Sequence, residues 1–184
     1  MSRIGRVERV TPETKVLVEM ELDGTGATDV ETGVTFYDHM LAQFGKHAGF
    51  DVTIHSLGDL RVDCHHTVAE TAIALGDVFK QALGDRAGLR RYGSVLLPVD
   101  ETLVQAAADV SGRAYLVHDE PDVMQSVMLG QNFYGALVRH VWESFTHHAE
   151  VTLHVSVQTG RDRRHIAEAQ FSAVARSAAR RCST

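Results

Sequence analysis

An internal repeat constrains this fold most strongly, because two copies of one pattern predict two halves built on the same plan. Residues 51–55 (DVTIH) match residues 150–154 (EVTLH), so the second copy follows the first by 99 residues. At the same spacing, residues 64–70 (CHHTVAE) align with residues 163–169 (RRHIAEA). Each half is therefore predicted to contain a histidine-bearing helix, a strand, and a second helix that begins with a histidine motif.

Hydrophobic periodicity predicts an α+β fold. Strands are expected where the sequence is apolar or alternates, at residues 15–22, 52–56, 94–110, 114–118 and 151–157. Helices are expected where apolar residues recur every three or four positions, at residues 36–47, 66–83, 133–145 and 165–181. We expect two similar halves, residues 1–93 and 94–184, each a small mixed sheet packed on two helices. Together they are expected to form one compact domain.

Composition excludes several classes of protein. The 184 residues are 44% hydrophobic, which is enough to fill a core, and the net charge of −6 argues against a general nucleic-acid surface. No stretch approaches the roughly 20 apolar residues of a membrane helix. The N-terminal region lacks the apolar segment of a secretory signal, and two distant cysteines make no disulfide framework. We therefore expect a cytoplasmic protein without a membrane or nucleic-acid partner.

The chain has 11 histidines, a residue suited to metal binding and to acid–base chemistry. A histidine and a carboxylate four residues later share one helix face and can bind the same ion. In the first copy His65 and His66 are adjacent, but Ala69 follows His65 by four positions. In the second copy Arg164 replaces the first histidine, whereas Glu168 keeps the carboxylate. The two copies have thus lost opposite members of one donor pair.

Other histidines have a simpler interpretation. His55 and His118 are expected to be hydrogen-bonded structural residues, since each is isolated in its strand. His147 and His148 lie near a predicted helix end, where a cationic or polar cap is favourable.

A series of motifs runs along nearly the whole chain, at residues 7–26, 36–41, 47–51, 58–60, 63–68, 91–93, 98–101, 109–113 and 152–154. In sequence and in order, these motifs resemble those of the imidazoleglycerol-phosphate dehydratase family. The resemblance implies a metal-dependent lyase of histidine biosynthesis that acts on a small phosphorylated imidazole substrate. It also implies a large homo-oligomer of 24 subunits, with active sites between subunits. Each site of the family holds two manganese ions, and each ion is bound by three histidines and one glutamate.

Six of the eight ligands implied by the resemblance are present: His39, His65, His66, His140, His165 and Glu168. Helix geometry and the repeat assign them to two sets: His39, His65 and His165, and His66, His140 and Glu168. Ala69 and Arg164 stand where the family has a glutamate and a histidine. Because a guanidinium is permanently cationic and repels a divalent ion, the second set is expected to bind metal weakly or not at all. One or two manganese ions are therefore expected.

The resemblance further implies that Glu13 is the catalytic acid or base and that Arg91 and Arg113 bind the substrate, because a guanidinium suits phosphate. It places Gln43 and His47 on the segment that lines the pocket. We expect the family's phosphate-binding tail to be absent. We hypothesise that three arginines replace it: Arg176, Arg180 and Arg181.

Three functions remain open at this point. The first is an imidazoleglycerol-phosphate dehydratase. The second is a diverged homologue with incomplete metal sites that acts on a different imidazole or phosphorylated polyol. The third is a non-catalytic subunit that assembles with a complete dehydratase.

Overall fold

The computed structural model describes the backbone of residues 2–182 and the side chains of residues 2–179. The first half contains β1 (Ile4–Val10), β2 (Thr14–Glu21), β3 (Thr28–Glu31), α1 (Thr35–Ala48), β4 (Asp51–Gly58) and α2 (His65–Leu83). The second half contains β5 (Tyr92–Val99), β6 (Thr102–Asp109), β7 (Tyr115–Asp119), α3 (Ala136–Ala149), β8 (Thr152–Thr159) and α4 (Arg163–Cys182), with a short 3-10 turn at Asp122–Gln125.

Each half forms a four-stranded mixed sheet, and the two sheets have the same topology. The strand orders are β1-β2-β4-β3 and β5-β6-β8-β7. In the first sheet β1, β2 and β4 are antiparallel, and β3 pairs parallel with β4 through the α1 crossover. The second sheet repeats this pairing with β5, β6, β8 and β7. The repeat seen in the sequence is therefore a repeat of structure.

The four helices lie between the two sheets and join the halves. Helix α2 packs on β1 and β2, and α4 packs on β5 and β6. Across the boundary between halves, α2 packs against α3 and α1 packs against α4. Trp142 and Phe171 lie in this layer with their rings 4.6 Å apart, and both are fully buried. A single hydrophobic cluster runs through both halves.

The α+β prediction of two similar halves, each with a mixed sheet and two helices, is confirmed. Two strands were not predicted. Strand β1 has three charged residues among its seven and lies at a sheet edge, and β3 has only four mostly exposed residues. Phe133 was expected inside α3 but precedes it, because it is buried beside Tyr37 in the loop before the helix. The predicted boundary at 93/94 falls just inside β5.

Among the described residues, no helix is long and apolar enough to cross a membrane.

A close approach of α2 to α3 fixes how the two halves meet. A Cβ atom added at Gly76 would lie 2.8 Å from the Phe145 carbonyl oxygen and 2.8 Å from the His148 Cβ. Contact with backbone at this distance forces the helices apart. Gly76 is thus required by packing rather than by helix propensity.

We predict that Gly76→Ala destabilises the protein by roughly 1–2 kcal/mol, as overpacked cores do. Helix propensity alone favours alanine by about 1 kcal/mol, so the sign of the change separates the two effects. Urea denaturation measures the free energy of unfolding. A more stable variant would contradict the close packing of α2 on α3.

Candidate functional site

The six candidate ligands lie on all four helices. They are His39 on α1, His65 and His66 in the first turn of α2, His140 on α3, and His165 and Glu168 near the start of α4. Both histidine motifs begin a helix, and in each an aspartate just before the helix accepts a backbone amide of its first turn. Asp63 Oδ1 accepts the His65 amide at 2.8 Å, and Asp162 Oδ1 accepts the Arg164 amide at 2.8 Å. The repeated motif therefore orients both pairs at helix starts.

The first pair of candidate metal ligands joins α1 to α4. His39 Nε2 lies 3.0 Å from Glu168 Oε1, and the His39 side chain is 54% exposed. A cavity of about 400 Å³ opens beside His39 and is also lined by Phe36, Asn132 and Arg164. Arg164, which stands where the other copy of the motif has a histidine, therefore borders the same cavity as His39.

The second pair joins α2 to α3. The His65 and His140 rings stack with their centroids 4.8 Å apart, and the His65 and His66 centroids are 6.1 Å apart. Burial lowers the pKa of His140, and the neighbouring His65 lowers it further. His140 is thereby favoured in the neutral form, which carries the lone pair that a metal requires.

His165 has acidic partners instead. Its Nδ1 lies 2.9 Å from Glu101 Oε2, and its Nε2 lies 3.8 Å from Asp100 Oδ2. The hydrogen bond to Glu101 raises the pKa of His165. In turn, His165 and the Asp162 amide hold the pKa of the Glu101 carboxyl well below its usual range.

The single chain does not bring either predicted set of three ligands together. It joins His39 to Glu168 and His65 to His140, so each pair mixes members of the two predicted sets. Among the described residues, no three histidine, cysteine or acidic side chains converge closely enough to hold a metal ion. Within this chain, each pair therefore brings together only two of the candidate ligands.

Ala69 is not compensated by the next residue. Glu70 Oε2 accepts a hydrogen bond from Arg9 Nε at 2.8 Å, and both side chains are largely buried. This ion pair directs the Glu70 carboxylate toward β1. The His65–His140 pair therefore gains no carboxylate from α2. Glu143 on α3 is the carboxylate beside it, with Oε2 3.8 Å from His140 Nδ1.

Glu13 lies in the exposed β1–β2 turn. It borders a surface cavity of about 600 Å³ together with Asp59 and Arg61, in the loop that leads to α2. Gly58, at the end of β4, approaches Thr67 of α2 so closely that an added Cβ would collide with it. The Glu13 turn and the His65–His66 pair thus belong to the same end of the first sheet.

Gln43 and His47 follow His39 at four-residue intervals along α1 and are half-buried. Burial lowers the pKa of His47, and the positive charge of Arg176 on α4 adds to the effect. The side chains of the other two arginines in the tail hypothesis, Arg180 and Arg181, lie outside the described residues.

The two predicted substrate arginines differ in their surroundings. Arg91 donates to Asp109 through Nε at 2.7 Å and Nη2 at 3.0 Å, and its guanidinium lies over the Tyr92 ring. Arg113 is exposed, and its guanidinium bonds to none of the described residues. Arg113 is therefore available to an anion, whereas Arg91 can offer only the N–H groups that Asp109 leaves unused.

Sequence reasoning missed the role of Glu101. The residue lies in the motif at 98–101, but nothing in the local pattern indicates that its side chain reaches α4, more than 60 positions away in the chain. The acidic pair at 100–101, which interrupts the apolar stretch at 94–110, was the available signal.

Comparison with known proteins identifies the family. A family model described as imidazoleglycerol-phosphate dehydratase matches residues 32–178. The imidazoleglycerol-phosphate dehydratase of Salinispora tropica is 56% identical over 183 residues, which cover 96% of this chain and 89% of that protein. The one from Thermobifida fusca is 54% identical over 182 residues, covering 99% and 92%. A crystal structure of the Staphylococcus aureus enzyme superposes with a TM-score of 0.84 at 28% identity and covers 96% of each chain. The chain therefore belongs to the imidazoleglycerol-phosphate dehydratase family.

Proposed function

We propose that this protein is a metal-dependent imidazoleglycerol-phosphate dehydratase of histidine biosynthesis. The proposal rests on one observation: this member of the family brings together two pairs of candidate metal ligands, His39 with Glu168 and His65 with His140. Imidazole and carboxylate are the donors that manganese and similar transition metals accept. Neither a different substrate nor a non-catalytic assembly role gains support from the relatives, which are named as dehydratases.

Each donor pair fits half of a metal site. Protein sites for such ions use at least three side chains, and each pair supplies two. The adjacent histidines, His66 and His165, point about 100° away from their neighbours around the helix. We propose that these outward-facing histidines complete sites on other copies, in a large symmetric homo-oligomer.

The proposed reaction removes water from the glycerol chain of the substrate. A bound metal ion would act as a Lewis acid that eases proton loss from the imidazole ring and its side chain. Glu13 is exposed beside an open cavity, so its carboxylate is suited to carry a proton to or from the substrate. Arg113, helped by Arg91, would hold the phosphate through charge-assisted hydrogen bonds. His47 and Gln43 would line the same pocket.

The direct test is turnover of imidazoleglycerol phosphate by the full chain supplied with manganese. We expect Glu13→Gln to lower kcat by about 10²- to 10⁴-fold with little change in KM, because the variant cannot transfer the proton. Glu21→Gln, at the opposite end of β2, is the matched control and should be fully active. Absence of turnover by the wild type, with metal bound, would refute the proposed substrate.

Metal stoichiometry tests the two departures from the family pattern. We expect fewer than two manganese ions per chain, because Arg164 brings a fixed cation to the cavity beside His39 and Ala69 supplies no donor to the His65–His140 pair. The double variant Ala69→Glu with Arg164→His should bind two. Equilibrium dialysis with elemental analysis measures both.

Arg163→His adds a histidine next to Arg164 but on a different side of α4, and it should leave the stoichiometry unchanged. Two ions bound per wild-type chain would contradict the proposed effect of Arg164.

A third experiment should distinguish the role of Arg113 from that of Arg91. Arg113→Gln is expected to raise KM roughly ten- to hundredfold, the value of a hydrogen bond to a charged group, with no change in thermal stability. Arg91→Gln should raise KM and also lower Tm, because it leaves the Asp109 carboxylate without its bidentate partner. Thermal unfolding and steady-state kinetics of both variants provide the measurement. Equal KM values for Arg113→Gln and wild type would exclude Arg113 from the phosphate site.

A further inference from the structure

The turn between β5 and β6 carries an acidic residue to which the reaction outlined above gives no role. We propose that Glu101 is a positioning residue that holds the His165 ring in one tautomer and one orientation, so that Nε2 is presented as an electron-pair donor. The expected effect of Glu101 on metal binding rests on the proposed function, whereas the assignment of the His165 tautomer does not.

Glu101 uses both carboxylate oxygens. Oε2 accepts a hydrogen bond from His165 Nδ1 at 2.9 Å. Oε1 accepts the backbone amides of Asp162 at 2.8 Å and Arg161 at 3.2 Å, and also the Thr102 hydroxyl at 3.0 Å. One side chain thereby fixes both the β8–α4 loop and the ring that follows it.

The ring is held from two directions. Asp162 Oδ1 accepts the His165 backbone amide at 3.3 Å, which fixes the main chain, while Glu101 fixes the imidazole. Asp100 has a φ of 49°, a left-handed conformation that aspartate tolerates better than most residues. That conformation belongs to a two-residue turn, since Val99 pairs with Thr102. The tight turn brings Glu101 to the start of α4.

The contact specifies the tautomer. An ionised carboxylate can only accept hydrogen bonds, so Nδ1 of His165 must carry the hydrogen. In the neutral ring Nε2 then bears the free lone pair. A histidine that binds a metal commonly donates its other N–H to a carboxylate, and this outer contact sets the orientation of the ring.

The His165 ring is partly exposed. The His165 side chain is 31% exposed, and the Asp100 carboxylate is 3.8 Å from Nε2, beyond hydrogen-bond distance. A carboxylate at this range favours a cation beside Nε2 without blocking it. The surroundings of His165 therefore suit a divalent ion or a donor group of the substrate.

The other half of the molecule shows that this contact is not required by the fold. His66 is the counterpart of His165 in the repeat and occupies the same position at the start of α2. Among the described residues, no side chain forms a hydrogen bond with the His66 ring. Since α2 forms without such a carboxylate, the Glu101–His165 contact is separable from helix formation.

The test is nitrogen NMR of the metal-free full chain with ¹⁵N-labelled histidine, at a pH where the ring is neutral. We expect wild-type His165 to carry its hydrogen on Nδ1 and Glu101→Gln to shift the population toward Nε2–H. Thr159→Val is the matched control, because Thr159 Oγ1 donates to the Glu101 carbonyl at 3.2 Å without touching the ring. It should leave the tautomer unchanged. Wild-type His165 with its hydrogen on Nε2 would overturn the proposal, even if the Glu101 variant fails to fold.

Manganese titration followed by electron paramagnetic resonance separates this proposal from the proposed function. Glu101→Gln should weaken manganese binding about ten- to hundredfold, as loss of an outer-shell contact does, and Thr159→Val should not. If His165→Ala binds manganese as tightly as wild type, His165 is no metal ligand and the proposed function is at fault. If His165→Ala weakens binding but Glu101→Gln does not, the positioning role is wrong.

Discussion

Helix packing across the boundary between the halves is the interaction on which the rest of this structure depends. α1 packs on α4 and α2 packs on α3, and each contact joins one half to the other. Both donor pairs lie on these same two contacts, since His39 meets Glu168 across the first and His65 meets His140 across the second. The hydrophobic core that joins the halves therefore also brings the candidate metal ligands together. Neither half alone contains a complete pair.

The two copies of the histidine motif differ at one position each, and the two differences fall on different helix contacts. Arg164 borders the cavity beside His39, at the contact of α1 with α4. Ala69 supplies no carboxylate at the contact of α2 with α3, where Glu143 Oε2 lies 3.8 Å from His140 Nδ1. Relative to the other copy, one contact thus lacks a histidine and the other lacks the α2 carboxylate. Glu70 does not replace the lost carboxylate, because Arg9 holds it against β1. The loss is divided between the two contacts rather than confined to one.

Periodicity and the repeat were sufficient to predict most of the fold. The amphipathic helices and the alternating strand β2 were predicted closely, because burial of one face leaves a clear period in the sequence. The charged edge strand β1 and the short β3 leave no such period, since little of either is buried. The candidate residues were identified by type and motif. Their pairing was not, because helix geometry predicts which residues share a face but not which helix lies opposite.

The two copies of the histidine motif have different surroundings. His66 and His165 are counterparts in the repeat, yet among the described residues only His165 is bonded to a carboxylate, which comes from the β5–β6 turn. The corresponding β1–β2 turn presents Glu13 to an open cavity instead. Equivalent turns of the two sheets therefore place a glutamate against an imidazole ring in one half and beside a cavity in the other.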